Sequence, residues 1–193
     1  MVRISGGLFR GRLLHLPNDG WIRPTMGRVR ESLFSMLARH VIGATSLDLF
    51  AGCGLLGLEA LSRGAQTTFF VDIERKAVQS IEKNVTLCGV HERSVILQGD
   101  ALHPRTLDRI TTWTTQRPDG HQPFNLVFLD PPYRRGLVAN AVQRLAQSTL
   151  LAPGAIIVAE QEAETEPEAS SPWQLLQNRC YGDTRIIFWQ TPP

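Results

Sequence analysis

Residues 45–60 read TSLDLFAGCGLLGLEA, and this stretch decides the fold. TSLDLF (45–50) is an apolar, strand-like run. LLGLEALSRG (55–64) is a helical run that ends at Gly64. Between and into them fall Gly52, Gly54 and Gly57, a GxGxxG between a strand and a helix. Glycines there permit a tight turn and a close approach of ligand to backbone, and the helix offers free N–H groups at its start. The motif alone is common to dinucleotide dehydrogenases and to other nucleotide-cofactor enzymes.

The same alternation continues in both directions. TTFFVD (67–72) is a strand and RKAVQSIEKNVTLCG (75–89) a helix ending at Gly89. SVILQ (94–98) is a strand, with a helix near 104–113. FNLVFLD (124–130) is a strand and LVANAVQRLAQSTL (137–150) a helix. AIIVAE (155–160) is a strand, and WQLLQNRC (173–180) with DTRIIFWQ (183–190) predicts an antiparallel hairpin around Tyr181-Gly182. The strands are apolar on both faces, as strands of a parallel sheet covered by helices on both sides must be. Upstream, RISGGLFRGRLLHLP reads as two short strands around glycine-rich turns. RPTMGRVRESLFSMLARH reads as a helix, with Pro24 and Thr25 at its start and Val29, Leu33, Met36 and Leu37 at helical spacing. TTWTTQRPDGHQP (111–123) reads as a polar, breaker-rich loop, and QEAETEPEASSP (161–172) as a solvated acidic loop. No internal repeat is visible.

With 193 residues, 42% hydrophobic and 20% charged, the chain suits one self-sufficient core with a small appendage. No apolar stretch approaches the ~20 residues of a membrane helix, and MVRISGGLFRGR lacks the apolar core of a signal peptide. Cys53, Cys88 and Cys180 are odd in number and far apart. They predict reduced, buried thiols in a cytoplasmic protein, with neither a disulfide frame nor a metal knuckle. The net charge of +2 hides an asymmetry. Residues 1–40 carry Arg3, Arg10, Arg12, Arg23, Arg28, Arg30 and Arg39 against Asp19 and Glu31. That is a surplus of five, so the remainder sums to −3. Arginine presents a planar fork to phosphate, and its concentration at one end predicts a localised polyanion contact.

Acids mark three successive strand ends: Asp48 inside the first strand, Asp72 at the end of the second and Asp100 after the third. All lie on the carboxyl edge of the sheet, where ligands of α/β folds bind. Asp72 is placed for ribose hydroxyls and Asp100 for an exocyclic amine. Asp48 is awkward beside a pyrophosphate but suits the cationic, phosphate-free tail of S-adenosylmethionine. At the fourth strand end comes LDPPYRRG (129–136). An exocyclic amine on a base is a poor nucleophile and must be held and aimed. The Asp130 carboxylate and the backbone carbonyls around Pro131 can accept its hydrogens. Pro131 and Pro132 stiffen the corner, and Tyr133 can stack on an unstacked base.

LDLFAGCGLLGLEALSRGA, FVDIERKA, GDA and FNLVFLDPPYRRG together resemble class I S-adenosylmethionine-dependent methyltransferases acting on exocyclic amines. RISGGLFRGRLLHLP with RPTMGRVRESLFSML is narrower and resembles the RsmD family, which methylates N2 of a guanine in small-subunit (16S) rRNA. The likeness runs from Arg3 to about Gln190. It implies a Rossmann-like, mostly parallel seven-stranded sheet with a C-terminal antiparallel hairpin, residues 41–193, behind an arginine-rich hairpin-and-helix extension, residues 1–40. It implies a cofactor site of Asp48, Phe50, Ala51, Gly52, Gly54, Gly57, Asp72, Ile73, Asp100 and Ala101. Asp130, Pro131, Pro132 and Tyr133 would hold the target amine. Arg10, Arg12, Arg23, Arg28, Arg30, Arg134 and Arg135 would face rRNA or its ribonucleoprotein, although Arg28 or Arg30 can instead form a structural ion pair. A monomer with no metal is expected. An adenine-N6 DNA methyltransferase, a NAD-dependent oxidoreductase and a non-catalytic RNA-binding subunit stand as rivals.

Overall fold

The computed structural model describes residues 2–17, 27–116, 122–133, 136–165 and 172–193. A short antiparallel pair, β1 (Val2–Arg3) and β2 (Leu13–Leu14), opens the chain, followed by α1 (Gly27–Met36). Then come β3 (Thr45–Leu49), α2 (Leu55–Ser62), β4 (Thr67–Asp72), α3 (Arg75–Cys88), β5 (Ser94–Gln98), α4 (Pro104–Thr115), β6 (Phe124–Leu129), α5 (Leu137–Ala146), β7 (Leu151–Glu162), β8 (Gln174–Tyr181) and β9 (Thr184–Gln190). The seven-stranded sheet has the order β5-β4-β3-β6-β7-β9-β8. Its first five strands are parallel, and β9 runs antiparallel to both β7 and β8. The chain leaves β3 toward β4 and β5, then returns to lay β6 on the other side of β3. The switch point therefore lies between the carboxyl ends of β3 and β6, where a ligand crevice is expected.

Alternating residues build two cores. Phe70, Leu126, Phe128 and Val158 face α1, α2, α3 and the N-terminal hairpin. Phe69, Val71, Val127 and Leu129 face α4 and α5. Every residue of α2 is buried. A helix apolar all round needs a second cover besides the sheet, and the N-terminal segment supplies it through Val2, Ile4, Phe9, Leu14, Leu33 and Phe34.

The cover is fixed by Glu59, which has no exposed surface. Its carboxylate accepts from the Ser5 amide at 2.8 Å, the Ser5 hydroxyl at 2.6 Å and the Gly6 amide at 2.8 Å. It also pairs with Arg30 at 3.3 Å and Arg63 at 2.9 Å. Gly7 lies so close to the end of α2 that a Cβ would sit 2.0 Å from the Ser62 carbonyl oxygen, and its φ is +75°. The Ser-Gly-Gly opening is thus a docking device.

Four local expectations change. The stretch 111–123 is not wholly loop: α4 runs on to Thr115 because Trp113 packs edge-on to Phe69 at 5.1 Å and stacks on Phe124 at 5.9 Å. The helix after Leu137 stops at Ala146, and β7 starts at Leu151, which pairs with Phe124 across a register shift. Gln161 and Glu162, assigned to the acidic loop, end β7. Cys53 and Cys88 are buried as expected, but Cys180 is exposed. The helix-start residues Pro24 and Thr25 lie outside the described residues.

Candidate active site

The loop after β3 is held by the acids on either side of it. Asp48, 1% exposed, accepts the Gly57 amide at 2.9 Å. Asp72 accepts the Gly52 amide at 2.7 Å and, through its other oxygen, the Glu74 amide at 2.9 Å. The loop's Gly52 and Gly57 N–H groups are therefore satisfied by carboxylates, in the place where a pyrophosphate would need them. Gly57 has a packing reason as well: a Cβ there would lie 2.3 Å from the Phe70 ring and 2.7 Å from the Thr68 methyl. Phe50 adopts a φ of 66°, a conformation that costs a non-glycine residue about 1–3 kcal/mol and clusters at ligand sites. It is half-buried, Ala51 is buried, and Ile73 lies 59% exposed beside Asp72.

Burial pushes the Asp48 carboxyl up to about 7, with the Asp72 charge adding to the effect. Asp72 is raised too, chiefly by burial. Asp130 is raised well above the usual carboxylate range by burial and by the charges of Glu160 and Asp48. The ion pairs Arg30–Glu59 and Arg63–Glu59 do not involve Asp48, Asp72 or Asp130. A cationic, phosphate-free ligand fits this edge, and an anionic one does not.

The Asp-Pro-Pro-Tyr corner follows β6, next to β3. Pro131 is buried and Pro132 exposed. The Tyr133 hydroxyl donates to Glu160 Oε1 at 3.0 Å and lies 3.0 Å from the Thr184 hydroxyl, so the ring is anchored at its far end. Burial raises the Tyr133 phenol further from ionisation. Glu160 and Thr184 carried no signal of this contact in the sequence: the tyrosine lies 27 and 51 residues away. Asn84 was likewise missed. Fully buried in α3, it binds both backbone groups of His15 and the Cys53 carbonyl, joining the N-terminal arm to the glycine loop.

Other expected positions fare differently. Asp100 is exposed and accepts the Leu102 amide at 2.9 Å, forming a local turn, while buried Ala101 supports it. The cap of α4 is His103. Cys53 is buried within the loop, and burial pushes its thiol up to about 11, which suits packing rather than nucleophilic attack. Arg10 and Arg28 are exposed. Arg12 is exposed but donates to the Leu87 carbonyl at the end of α3 and stacks 5.0 Å from the Phe9 ring centroid. Arg30 is corrected as an RNA contact: it is 4% exposed, pairs with Glu59 and donates to the Arg3 carbonyl at 2.6 Å. The structural ion pair anticipated for Arg28 or Arg30 is made by Arg30, with Glu59 as its acid. Arg23, Arg134 and Arg135 lie outside the described residues.

A sheet of this order, with an acid-bound glycine loop and an Asp-Pro-Pro-Tyr corner meeting at its switch point, is that of a class I methyltransferase. Residues 2–190 match the family described as conserved hypothetical protein 95, and the chain belongs to that family, the one its N-terminal motifs resemble. The ribosomal RNA small subunit methyltransferase D of Escherichia coli (strain K12) is 35% identical over 190 residues, 98% of this chain and 89% of that protein. Its Haemophilus influenzae counterpart is 36% identical over 191 residues, 98% and 93% of the two chains. Among solved structures, a putative methyltransferase yhhF from Escherichia coli superposes with a TM-score of 0.80 at 34% identity, covering 99% of this chain and 98% of that one. The chain is a methyltransferase.

Proposed function

We propose that this chain methylates the exocyclic N2 amine of a guanine in small-subunit ribosomal RNA, using S-adenosylmethionine. The observation that carries the reading is the meeting of two features on adjacent strands: the carboxylate-held glycine loop after β3 and the Asp-Pro-Pro-Tyr corner after β6. S-adenosylmethionine, when bound, supplies an electrophilic methyl group on a sulfonium. Asp48 and Asp72 provide the negative field for its cationic portion, and Asp72 retains acceptor capacity for ribose hydroxyls. Ile73 and Ala101 would border the adenine of the bound cofactor, and Asp100 could accept from its amine.

A flipped guanine stacks on Tyr133, whose hydroxyl anchor fixes the ring plane. Asp130 and the Pro131 carbonyl accept the two N2 hydrogens and direct the nitrogen lone pair along the transfer axis. Alignment of this kind supplies roughly 7–11 kcal/mol of a displacement barrier. Once methylated, the amine is acidic, and its proton leaves without a strong general base. No covalent intermediate is needed. Arg10, Arg12 and Arg28 contact phosphates of the rRNA or its ribonucleoprotein from the extension formed by residues 1–40, and residues 41–193 carry out the reaction. No described helix is long and apolar enough to cross a membrane. An rRNA substrate implies a cytoplasmic enzyme, and one chain carries both the cofactor edge and the corner, so a monomer suffices.

The test is transfer from labelled S-adenosylmethionine to unmodified small subunits, naked rRNA and duplex DNA, with the product nucleoside identified. N2-methylguanosine in rRNA is expected. N6-methyladenine in DNA, or no transfer to any substrate, refutes the reading.

A further inference from the structure

Glu160 reads in the sequence only as the last residue of a strand. In the fold it lies beside the reactive corner. Strands β6 and β7 are parallel and in register at Phe128↔Val158 and Leu129↔Ala159. One residue beyond this register come Asp130, just past the end of β6, and Glu160 in β7; neighbouring strands lie about 4.8 Å apart, and the Glu160 charge reaches the Asp130 carboxyl. They project from the same face as Asp48, which pairs with Phe128. Glu160 also holds the Tyr133 hydroxyl at 3.0 Å. The residue is 7% exposed. A buried acid therefore borders both the group that grips the amine and the ring that stacks on the base.

We propose that Glu160 accepts the N1–H of the target guanine and so selects guanine over adenine-like bases. This rests on the guanine-N2 reading above. In that reading both N2 hydrogens are taken by Asp130 and the Pro131 carbonyl, so the next donor along the base edge, N1–H, requires its own acceptor. N1 is one carbon removed from N2, as Glu160 is one strand removed from Asp130. A carboxylate offers about four lone-pair sites, so its oxygen pair can accept from the Tyr133 hydroxyl and from a base N–H together. Adenine presents a bare lone pair at N1. Against a carboxylate that lone pair is repelled, so the same residue attracts the right base and rejects the wrong one.

The experiment compares small subunits reconstituted with guanine or with 2-aminopurine at the methylated position. 2-Aminopurine keeps the 2-amino group but has no hydrogen on N1. The wild type is expected to favour guanine in kcat/KM on the order of 100-fold or more, since a buried acceptor is left facing a lone pair. Glu160→Gln keeps an oxygen for the Tyr133 hydroxyl and gains an amide donor for bare N1. It is expected to narrow the preference at least about tenfold, with thermal midpoint and S-adenosylmethionine affinity retained. A preference unchanged in Glu160→Gln, or equal losses on both bases, reduces Glu160 to a support for Tyr133 and overturns the proposal. Failure of the wild type to form N2-methylguanosine on guanine subunits overturns the functional reading first, and is seen before any variant is compared.

Discussion

Asp48→Asn tests the electrostatic account of the cofactor edge. Asp48 ionises near 7 in the folded protein against an ordinary value of 3.8. A group that binds its proton more tightly when folded makes the native state lose stability as pH rises from about 4 to about 7, after which the loss is constant. At 1.36 kcal/mol per pKa unit, the ionised carboxylate costs the native state about 4 kcal/mol at pH 8 and about 1.5 kcal/mol at pH 5. Asparagine removes the titration, keeps an oxygen for the Gly57 amide, and relieves Asp130, which the Asp48 charge also pushes up. Urea unfolding of the ligand-free protein at the two pH values is the assay. The variant is expected to be the more stable, by a gap roughly 2.5 kcal/mol larger at pH 8 than at pH 5. Any fixed effect of the amide on packing shifts both values equally and drops out of the difference. Calorimetric binding of S-adenosylmethionine supplies the converse: wild-type affinity falls as pH drops below about 7, while the variant binds weakly and with little pH dependence. A gap independent of pH, or a variant that binds the cofactor as well as the wild type, refutes the role assigned to this charge.

Glu59→Ala leaves Arg30 buried without its carboxylate and frees the Ser5 and Gly6 amides, so unfolding free energy should drop by about 3–5 kcal/mol in urea titrations. Asp130→Ala should lower turnover on the order of 100-fold while S-adenosylmethionine affinity, measured calorimetrically, stays near wild type; equal loss of both would contradict its place beside the amine. Neutralising Arg10 and Arg28 together should weaken rRNA binding and flatten the slope of log K against log salt by about one for each phosphate no longer engaged, read by filter binding across a salt series.

What the sequence disclosed was local. TSLDLF, the glycines and LLGLEALSRG sit next to one another in the chain, so strand, loop and helix could be read from period and punctuation. The Asp-Pro-Pro-Tyr corner was equally legible because its four residues are contiguous. The misread parts depend on partners far away in sequence. TTWTT looks like loop because it runs into the polar, breaker-rich QRPDGHQP, but Trp113 finds Phe69 and Phe124 and the helix continues. Arg30 looks like one more phosphate ligand in an arginine-rich arm, and only the fold brings it to Glu59, 29 residues on. The strand beginning at Leu151 is hidden by Pro153 and Gly154, which accompany a register shift and not a chain break. Glu160 escaped notice because no motif surrounds it, and its position relative to Asp130 is not written in either strand alone.

The arginine-rich opening and the acidic pocket belong to one electrostatic design. Arg30 lies close enough to the glycine loop to act on the Cys53 thiol, and a guanidinium at that depth would neutralise the acids the cofactor needs. Glu59 engages Arg30 and Arg63, directing their charge toward the N-terminal clamp and away from Asp48, Asp72 and Asp130. The clamp therefore serves two ends at once. It covers a helix that is buried all round, and it sequesters the buried cations. Above about pH 7 the ligand-free enzyme holds Asp48 ionised at a cost in stability, and binding a cationic cofactor relieves that cost. Such an enzyme should be stabilised by its ligand more strongly at pH 8 than at pH 6, because only the ionised carboxylates gain from the cation.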